Sequence, residues 1–321
     1  MTRTCRYAAL LALPVALTVV ATAAPTDIRI DGAGVFPESI TSAADGAIYV
    51  GSVKGIVYRA AAGAATAEPW IRPDATNGIL SIFGVLADDK SHTLWLCSTP
   101  NVFGPERSKG VASLKAFDLK TGRIKHSYPF PPPASVCNDI AIAADGSAYV
   151  SDTRNGRIFK LAKGVRALKL YGQNSALVGI EGLAFGADGT LYVNNVRSNE
   201  LMRVETGVGG RMTGLTTLTV SQKLDGPDGL RHIDGNRFLQ AEGMSGRLEI
   251  VTIKGNEATL HVLADKLKPS PGATPVGNTA YVLASDIRFL VDPALKGKDP
   301  GPFMIRAVPM GRSGAAEETG R

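Results

Sequence analysis

The 321-residue sequence predicts an all-β fold, a six-bladed β-propeller whose four-stranded antiparallel blades surround a central channel. Three observations carry that expectation. One short motif recurs along the chain, an Asp-Gly pair sits at the centre of its best copies, and no stretch sustains the apolar period of a helix.

Taken in order, the chain begins with a segment of the secretory type. Arg3 and Arg6 give a basic start, Ala8 to Val20 form a short apolar run, and Ala21-Thr22-Ala23 is a small-x-small cleavage pattern. Residues 1–23 are therefore expected to be a signal peptide removed near Ala23, which implies a periplasmic or secreted protein. No later run reaches the ~18 apolar residues a membrane helix needs. Residues 24–310 read as one propeller domain, and residues 311–321, small and polar, as a disordered tail.

Within the domain three copies of the motif align residue for residue. They are Glu38-Ser-Ile-Thr-Ser-Ala-Ala-Asp-Gly-Ala-Ile-Tyr-Val, Asn138-Asp-Ile-Ala-Ile-Ala-Ala-Asp-Gly-Ser-Ala-Tyr-Val and Glu181-Gly-Leu-Ala-Phe-Gly-Ala-Asp-Gly-Thr-Leu-Tyr-Val. Each reads as a polar residue, a strand, a tight Asp-Gly hairpin and a second strand centred on Tyr. Third strands follow at Ile56 to Arg59, Arg157 to Leu161 and Leu201 to Val204. Weaker copies fall at Ser81 to Leu96, at Pro227 to Gln240 and at Ala273 to Ala284, giving six units roughly 40 to 50 residues apart. Asp27 to Ile30 is a strand with no local partner. Pairing it with Phe303 to Val308 closes the ring and leaves no open sheet edge.

Charge and cysteine content narrow the function. Loss of Arg3 and Arg6 takes Lys+Arg from 35 to 33 against 29 acids, and the basic residues form no run or aromatic-laced stripe, which argues against a nucleic-acid partner. Cys97 and Cys137 remain, on neighbouring blades. A disulfide and two buried free thiols both fit the sequence.

The first strand of each blade lines the channel, so the residues that open those strands converge on the axis. They are Glu38, an apolar residue near Phe83, Asn138, Glu181, Asp228, and Ser270 or Pro271. Three carboxylates and an amide so close together repel and resist ionisation unless a cation holds them. Oxygen-only ligands favour a hard cation, Ca²⁺ first. Arg154, Arg197, Asn195, Asn101 and Glu242, with Lys54, Asp152 and Met244, fall in loops over the same face and are the candidate substrate contacts. Arg154 and Arg197 are placed to grip a carboxylate. The longer Thr99–Gly110 loop is a candidate lid. The sequence lacks Gly-x-Ser-x-Gly and His-Glu-x-x-His, and its four histidines, His92, His126, His232 and His261, suit structural positions.

On Pro37-Glu38, Asn138-Asp139 and Pro227-Asp228-Gly229 the chain resembles the SMP-30/gluconolactonase/LRE-like family of six-bladed propellers, related to the paraoxonases. That resemblance implies divalent-metal ligation by Glu38 and Asp228, a metal or substrate role for Asn138, and Asp228 as the candidate general base. Glu181 departs from the family pattern, in which an Asn-Gly-Leu commonly opens this blade, and adds a negative charge to the site. The resemblance implies hydrolysis of a small-molecule lactone or ester, with Asp228 or Glu181 activating water. Two other readings stand beside it. One is a non-catalytic propeller that binds a ligand or protein, its metal purely structural. The other is a metal-free catalyst resembling strictosidine synthase, in which Glu181 handles an amine.

Overall fold

The computed structural model describes residues 26–103, 109–295 and 297–311. The expected signal peptide, most of the tail and the centre of the Thr99–Gly110 loop lie outside the described residues. Hairpin chemistry builds the architecture. At Asp45-Gly46, Asp145-Gly146 and Asp188-Gly189 the glycines take φ of +82°, +82° and +80°. Each aspartate accepts a hydrogen bond from the backbone N–H two residues on, at 2.9, 2.8 and 2.9 Å. The same side-chain-to-backbone lock thus reverses the chain in three units.

The strands that result are antiparallel meanders. The first comprises β2 (Pro37–Ser42), β3 (Ile48–Ser52), β4 (Val57–Ala60) and β5 (Thr66–Ile71). The second comprises β6 (Ser81–Asp88), β7 (Thr93–Thr99), β8 (Ser113–Asp118) and β9 (Ile124–Pro129). The third runs β10 (Cys137–Ile142), β11 (Ala148–Asp152), β12 (Arg157–Leu161) and β13 (Lys169–Gln173). The fourth runs β14 (Ile180–Phe185), β15 (Leu191–Asn195), β16 (Glu200–Thr206) and β17 (Met212–Thr217). In the fifth, β19 (Pro227–Asp234), β20 (Arg237–Glu242), β21 (Leu248–Lys254) and β22 (Glu257–Ala264) are edged by the short parallel β18 (Thr219–Val220).

The last sheet joins the chain's ends. β23 (Ala273–Val276), β24 (Thr279–Ala284) and β25 (Met304–Pro309) are completed by β1 (Ile28–Ile30), which pairs antiparallel with β25 through Ile28↔Ile305. β1 also pairs in parallel with β5, so the first and last meanders share one eight-stranded sheet. The expected closure is therefore present. One α-helix of four residues, α1 (Arg288–Val291), follows β24.

Packing runs in a circle. The first strands touch in the order β2, β6, β10, β14, β19, β23 and back to β2. Six apolar clusters fill the spaces between neighbouring meanders. Ile82 and Leu94 pack on Tyr49 and Val57, for example, and Tyr192 and Ala184 pack on Phe238 and Val251. Cys97 of β7 and Cys137 of β10 form a disulfide with a Cα–Cα distance of 5.2 Å, which settles the open question between thiols and a bond. Among the described residues no helix is long and apolar enough to cross a membrane.

Candidate functional site

The site begins with a backbone irregularity repeated five times. Between the first and second strands the register slips at Pro37/Ser39, Ile82/Gly84, Cys137/Ile140, Ile180/Leu183 and Pro227/Leu230. A bulge of this kind re-aims the extra residue out of the ladder. The residues inside the five slips include Glu38, Phe83, Asn138, Glu181 and Asp228, all at the same end of the inner strands. The residue after each is small in four cases, namely Ser39, Gly84, Gly182 and Gly229. A Cβ at Gly84 would stand 2.0 Å from the Asn138 carbonyl oxygen, and one at Gly182 would stand 2.3 Å from that of Asp228. Glycine therefore lets the next inner strand close in and bring the bulge residues together.

The acids act on one another electrostatically. Burial pushes Glu38 well above the usual carboxylate range, and the charge of Asp228 pushes it further. Glu181 is raised by burial and by repulsion from Glu38 and Asp139, against the pull of an Asn138 hydrogen bond and of Arg197. Asp228 is raised by burial, Glu181 and Asp139, with Arg231 opposing. Asn138 Nδ2 donates to Glu181 Oε2. Glu38 Oε2 is buried with no hydrogen-bond partner.

Directly below lies a charged layer that the sequence reading did not single out. The Arg231 guanidinium donates to both carboxylate oxygens of Asp139, at 2.7 and 2.9 Å. It also reaches Ser39 Oγ at 3.4 Å and the Val85 carbonyl at 3.3 Å, so one side chain from the fifth meander touches the first, second and third. Asp139 was legible as a motif residue in Asn138-Asp139. It is the one charged residue at a position that is Ser or Gly in the other four slips.

Behind the cluster the backbone is pinned by amides. Asn194 accepts from the Gly182 N–H at 2.8 Å, donates to the Asp228 carbonyl at 2.7 Å and reaches Gln240 at 3.3 Å. Gln240 in turn donates to Glu249 at 3.3 Å. Gly243 faces the Asp228 carboxylate, where an added Cβ would lie 2.9 Å from Oδ2.

The loop residues separate into two groups. Arg154 and Arg197 are exposed over neighbouring meanders, as are Lys54 and Met244. Asn101 accepts from the Phe103 N–H at 3.0 Å. Asn195 is buried, accepting from the Arg197 N–H at 2.8 Å and donating to the carbonyls of Ala176 and Val178. Glu242 is buried against Arg247, both carboxylate oxygens lying 2.7 Å from guanidinium nitrogens. Asp152 is buried in the same way against Arg157 at 2.8 Å. The polar atoms of these three clamp their own loops. His92 lies in a turn, His126 and His261 on outer strands, and His232 on β19.

Two cavities flank the channel. One of about 410 Å³ opens on the face of the carboxylates, among Val53, Lys54, Leu80, Asn101, Phe103 and Leu290. A larger one, about 910 Å³, opens at the opposite ends of the inner strands, around Thr41, Ile142, Phe185 and Thr274. Size does not make the second the reactive site, because its acids Asp88, Asp89 and Asp145 accept backbone N–H groups in turns.

A hard cation suits the donor set. The groups that converge are all oxygen donors, one carboxylate oxygen lacks a partner, and the acids repel one another. Among the described residues no three His, Cys, Asp or Glu side chains are already gathered at ligand distance. Glu38, Glu181 and Asp228 would have to draw together around an ion, with Asn138 as the amide ligand.

Comparison with known proteins gives related results. Residues 26–60, which include Glu38, match the model of the strictosidine synthase-like N-terminal family. A search of curated proteins returned no match. Among solved structures, a gluconolactonase from Xanthomonas campestris is 13% identical with a TM-score of 0.62, the match covering 90% of this chain and 99% of that one. The calcium-binding protein regucalcin from Agrobacterium tumefaciens is 17% identical with a TM-score of 0.62, over 90% and 95% of the two chains. Virginiamycin B lyase from Staphylococcus aureus is 12% identical with a TM-score of 0.56, over 88% and 98%. This chain has the all-β propeller fold of these proteins, and members of the gluconolactonase and regucalcin family are among its structural neighbours.

Proposed function

We propose that this chain is a six-bladed propeller that hydrolyses lactones or related esters with the help of a divalent cation, Ca²⁺ first, after export from the cytoplasm. The observation that carries the reading is that four of the five strand slips hold Glu38, Asn138, Glu181 and Asp228 at the same end of the inner strands. A protein that needed only a stable ring would gain nothing from three buried, mutually repelling carboxylates. The gluconolactonase and regucalcin neighbours support the choice of chemistry. The disulfide and the secretory character of residues 1–23 support an oxidising compartment.

The cation would be held by Glu38, Asn138, Glu181 and Asp228. When bound it supplies Lewis-acid polarisation of the carbonyl and charge stabilisation for the oxyanion. The chain's own residues handle the proton. Asp228, whose carboxylate faces Gly243, takes a proton from water as the hydroxyl adds to the acyl carbon. As the acyl C–O bond breaks, Asp228 returns that proton to the leaving oxygen and a hydroxy acid, or an acid and an alcohol, departs. Glu181 is the alternative base, but its Oε2 is engaged by Asn138. Arg197, whose charge acts on Glu181, and the exposed Arg154 of the neighbouring meander would orient an anionic substrate or product.

The match at residues 26–60 favours a second reading, a metal-free site in which Glu181, oriented by Asn138, accepts a proton from an amine. Metal content of the purified mature protein separates the two. Stoichiometric metal, with lactone hydrolysis lost on chelation and in Asp228→Ala, supports the hydrolase. Metal without turnover across lactones and esters leaves a binding scaffold, and absence of metal leaves the second reading.

A further inference from the structure

A slip takes a residue out of the ladder, so its backbone groups need partners from elsewhere. Three successive meanders supply them from one position. The pairs that open the slips include Pro37↔Ser52, Cys137↔Asp152, Ile180↔Asn195 and Pro227↔Glu242. One residue before each second-strand member stand Gly51, Ser151, Asn194 and Ala241, and in the second meander Cys97 takes that place opposite Gly84. Asn194 accepts from the Gly182 N–H of its own meander at 2.8 Å and donates to the Asp228 carbonyl of the next at 2.7 Å. Ser151 makes the same contacts one meander earlier, accepting from the Asp139 N–H at 2.9 Å and donating to the Glu181 carbonyl at 3.3 Å. Cys97 is the covalent counterpart, since its disulfide reaches Cys137, next to Asn138. Thr99 and Thr153, two residues beyond Cys97 and Ser151, add hydroxyl bonds to the Cys137 and Ile180 carbonyls at 2.8 and 2.7 Å. Gly51 and Ala241 offer no polar atom. The meander after Gly51 holds Phe83 at its slip, and the inner pair of the meander after Ala241 runs from Ala273 to Val276 without one.

We infer that Cys97, Ser151 with Thr153, and Asn194 are positioning residues of the carboxylate site: each latches the slip of the next meander, and together they set the spacing of Asn138, Glu181 and Asp228. The inference rests on the cation reading above and adds the residues that build its site. The latches hold the main chain and leave the side chains to close on an ion. Among the described residues no side chain of the last meander hydrogen-bonds the backbone of Pro37 or Glu38, so Glu38 joins three groups that are already set. Partners that orient metal ligands from behind govern affinity without touching the ion, and losing one costs about 10–100-fold.

The test is calorimetric calcium titration of the purified mature protein, of Asn194→Ala, of Ser151→Ala combined with Thr153→Val, and of Tyr171→Phe. Tyr171 of β13 and Thr206 of β16 share a hydroxyl contact, so this control loses a hydrogen bond without touching a slip. Amide hydrogen exchange of the calcium-free proteins is the second readout. Asn194→Ala and the double variant should each raise the calcium Kd about 10–100-fold, while Tyr171→Phe leaves it within about twofold. Without calcium, exchange should quicken about tenfold at Gly182 in Asn194→Ala and at Asp139 in the double variant, the rest of β15 and β11 staying protected as in the parent. The double variant removes only two hydroxyls and carries the test if Asn194→Ala does not fold. An unchanged Kd in the latch variants, or an equal loss in Tyr171→Phe, overturns the latch while the cation site stands. A parent that binds no calcium overturns the cation reading, and exchange then decides the latch by itself. Quickening confined to the slips keeps it, and quickening that is absent or spread through the sheets overturns it.

Discussion

Arg231→Met tests how the channel is held together beneath the carboxylates. Arg231 and Asp139 are 7% and 4% exposed, and their bidentate contact is the one full ion pair in the layer below Glu38, Glu181 and Asp228. Removing the guanidinium leaves Asp139 with the Leu183 N–H of the neighbouring inner strand β14, 3.2 Å away, as the donor to its side chain. A buried carboxylate stripped of its partner costs about 3–5 kcal/mol. At about 2–4 °C per kcal/mol for a chain of this size, Tm should fall by roughly 6–20 °C. Adding Asp139→Asn removes the stranded charge but keeps an acceptor for Leu183. The double variant should therefore recover at least about 2 kcal/mol relative to the sum of the single losses. The assay is urea and thermal unfolding of all four proteins in a chelator, so that no cation substitutes for the guanidinium. Calcium titration is the second readout. Taking a positive charge from beside the acids should tighten cation binding. A loss under about 1 kcal/mol in Arg231→Met, or strict additivity in the double variant, would refute the reasoning.

Three further outcomes follow from named contacts. Glu249 is buried and raised to about 7 by burial and by Glu242, against Arg247 and a Gln240 hydrogen bond. Its folded pKa lies above the unfolded value, so the stability it contributes is complete below about pH 4.5 and is lost as pH rises through about 7. Glu249→Gln should accordingly gain roughly 2–3 kcal/mol over the parent at pH 8 and nothing at pH 4, measured by urea unfolding. Gly243→Ala places a methyl 2.9 Å from Asp228 Oδ2, at a backbone angle that alanine accepts. It should lower cation affinity and turnover about 10–100-fold with little change in Tm, as calcium titration and kinetics would report. Replacing both Cys97 and Cys137 by alanine opens a link across 40 residues and should cost about 3–4 kcal/mol in chemical unfolding, with the circular-dichroism spectrum of the fold kept.

What was legible in the sequence was what local chemistry repeats. The Asp-Gly hairpins, the polar residue ahead of each inner strand and the unpartnered Asp27–Ile30 segment each carry their signal within a few residues. Aligning the copies was enough to bring Glu38, Asn138, Glu181 and Asp228 to one position. The Arg231–Asp139 pair was not legible, because its partners are 92 residues apart and meet only when the ring closes. Asn195 and Glu242, expected in loops, close the strands β15 and β20. Their engagement with Arg197 and Arg247 depends on hairpin geometry, which a list of polar residues does not convey. Phe83 was visible as an apolar exception in the ring of acids, but its stacking on Phe103, twenty residues on, was not. Whether the cysteines were joined depended on how close two meanders come, a distance that spacing alone leaves open.

The most direct test of the central claim is the metal content of the purified mature protein, read beside lactone hydrolysis before and after chelation. The account predicts close to one divalent cation per chain, hydrolysis that chelation abolishes and calcium restores, and loss of both metal and activity in Asp228→Ala. A protein that contains no metal and whose hydrolysis is indifferent to chelators would contradict it.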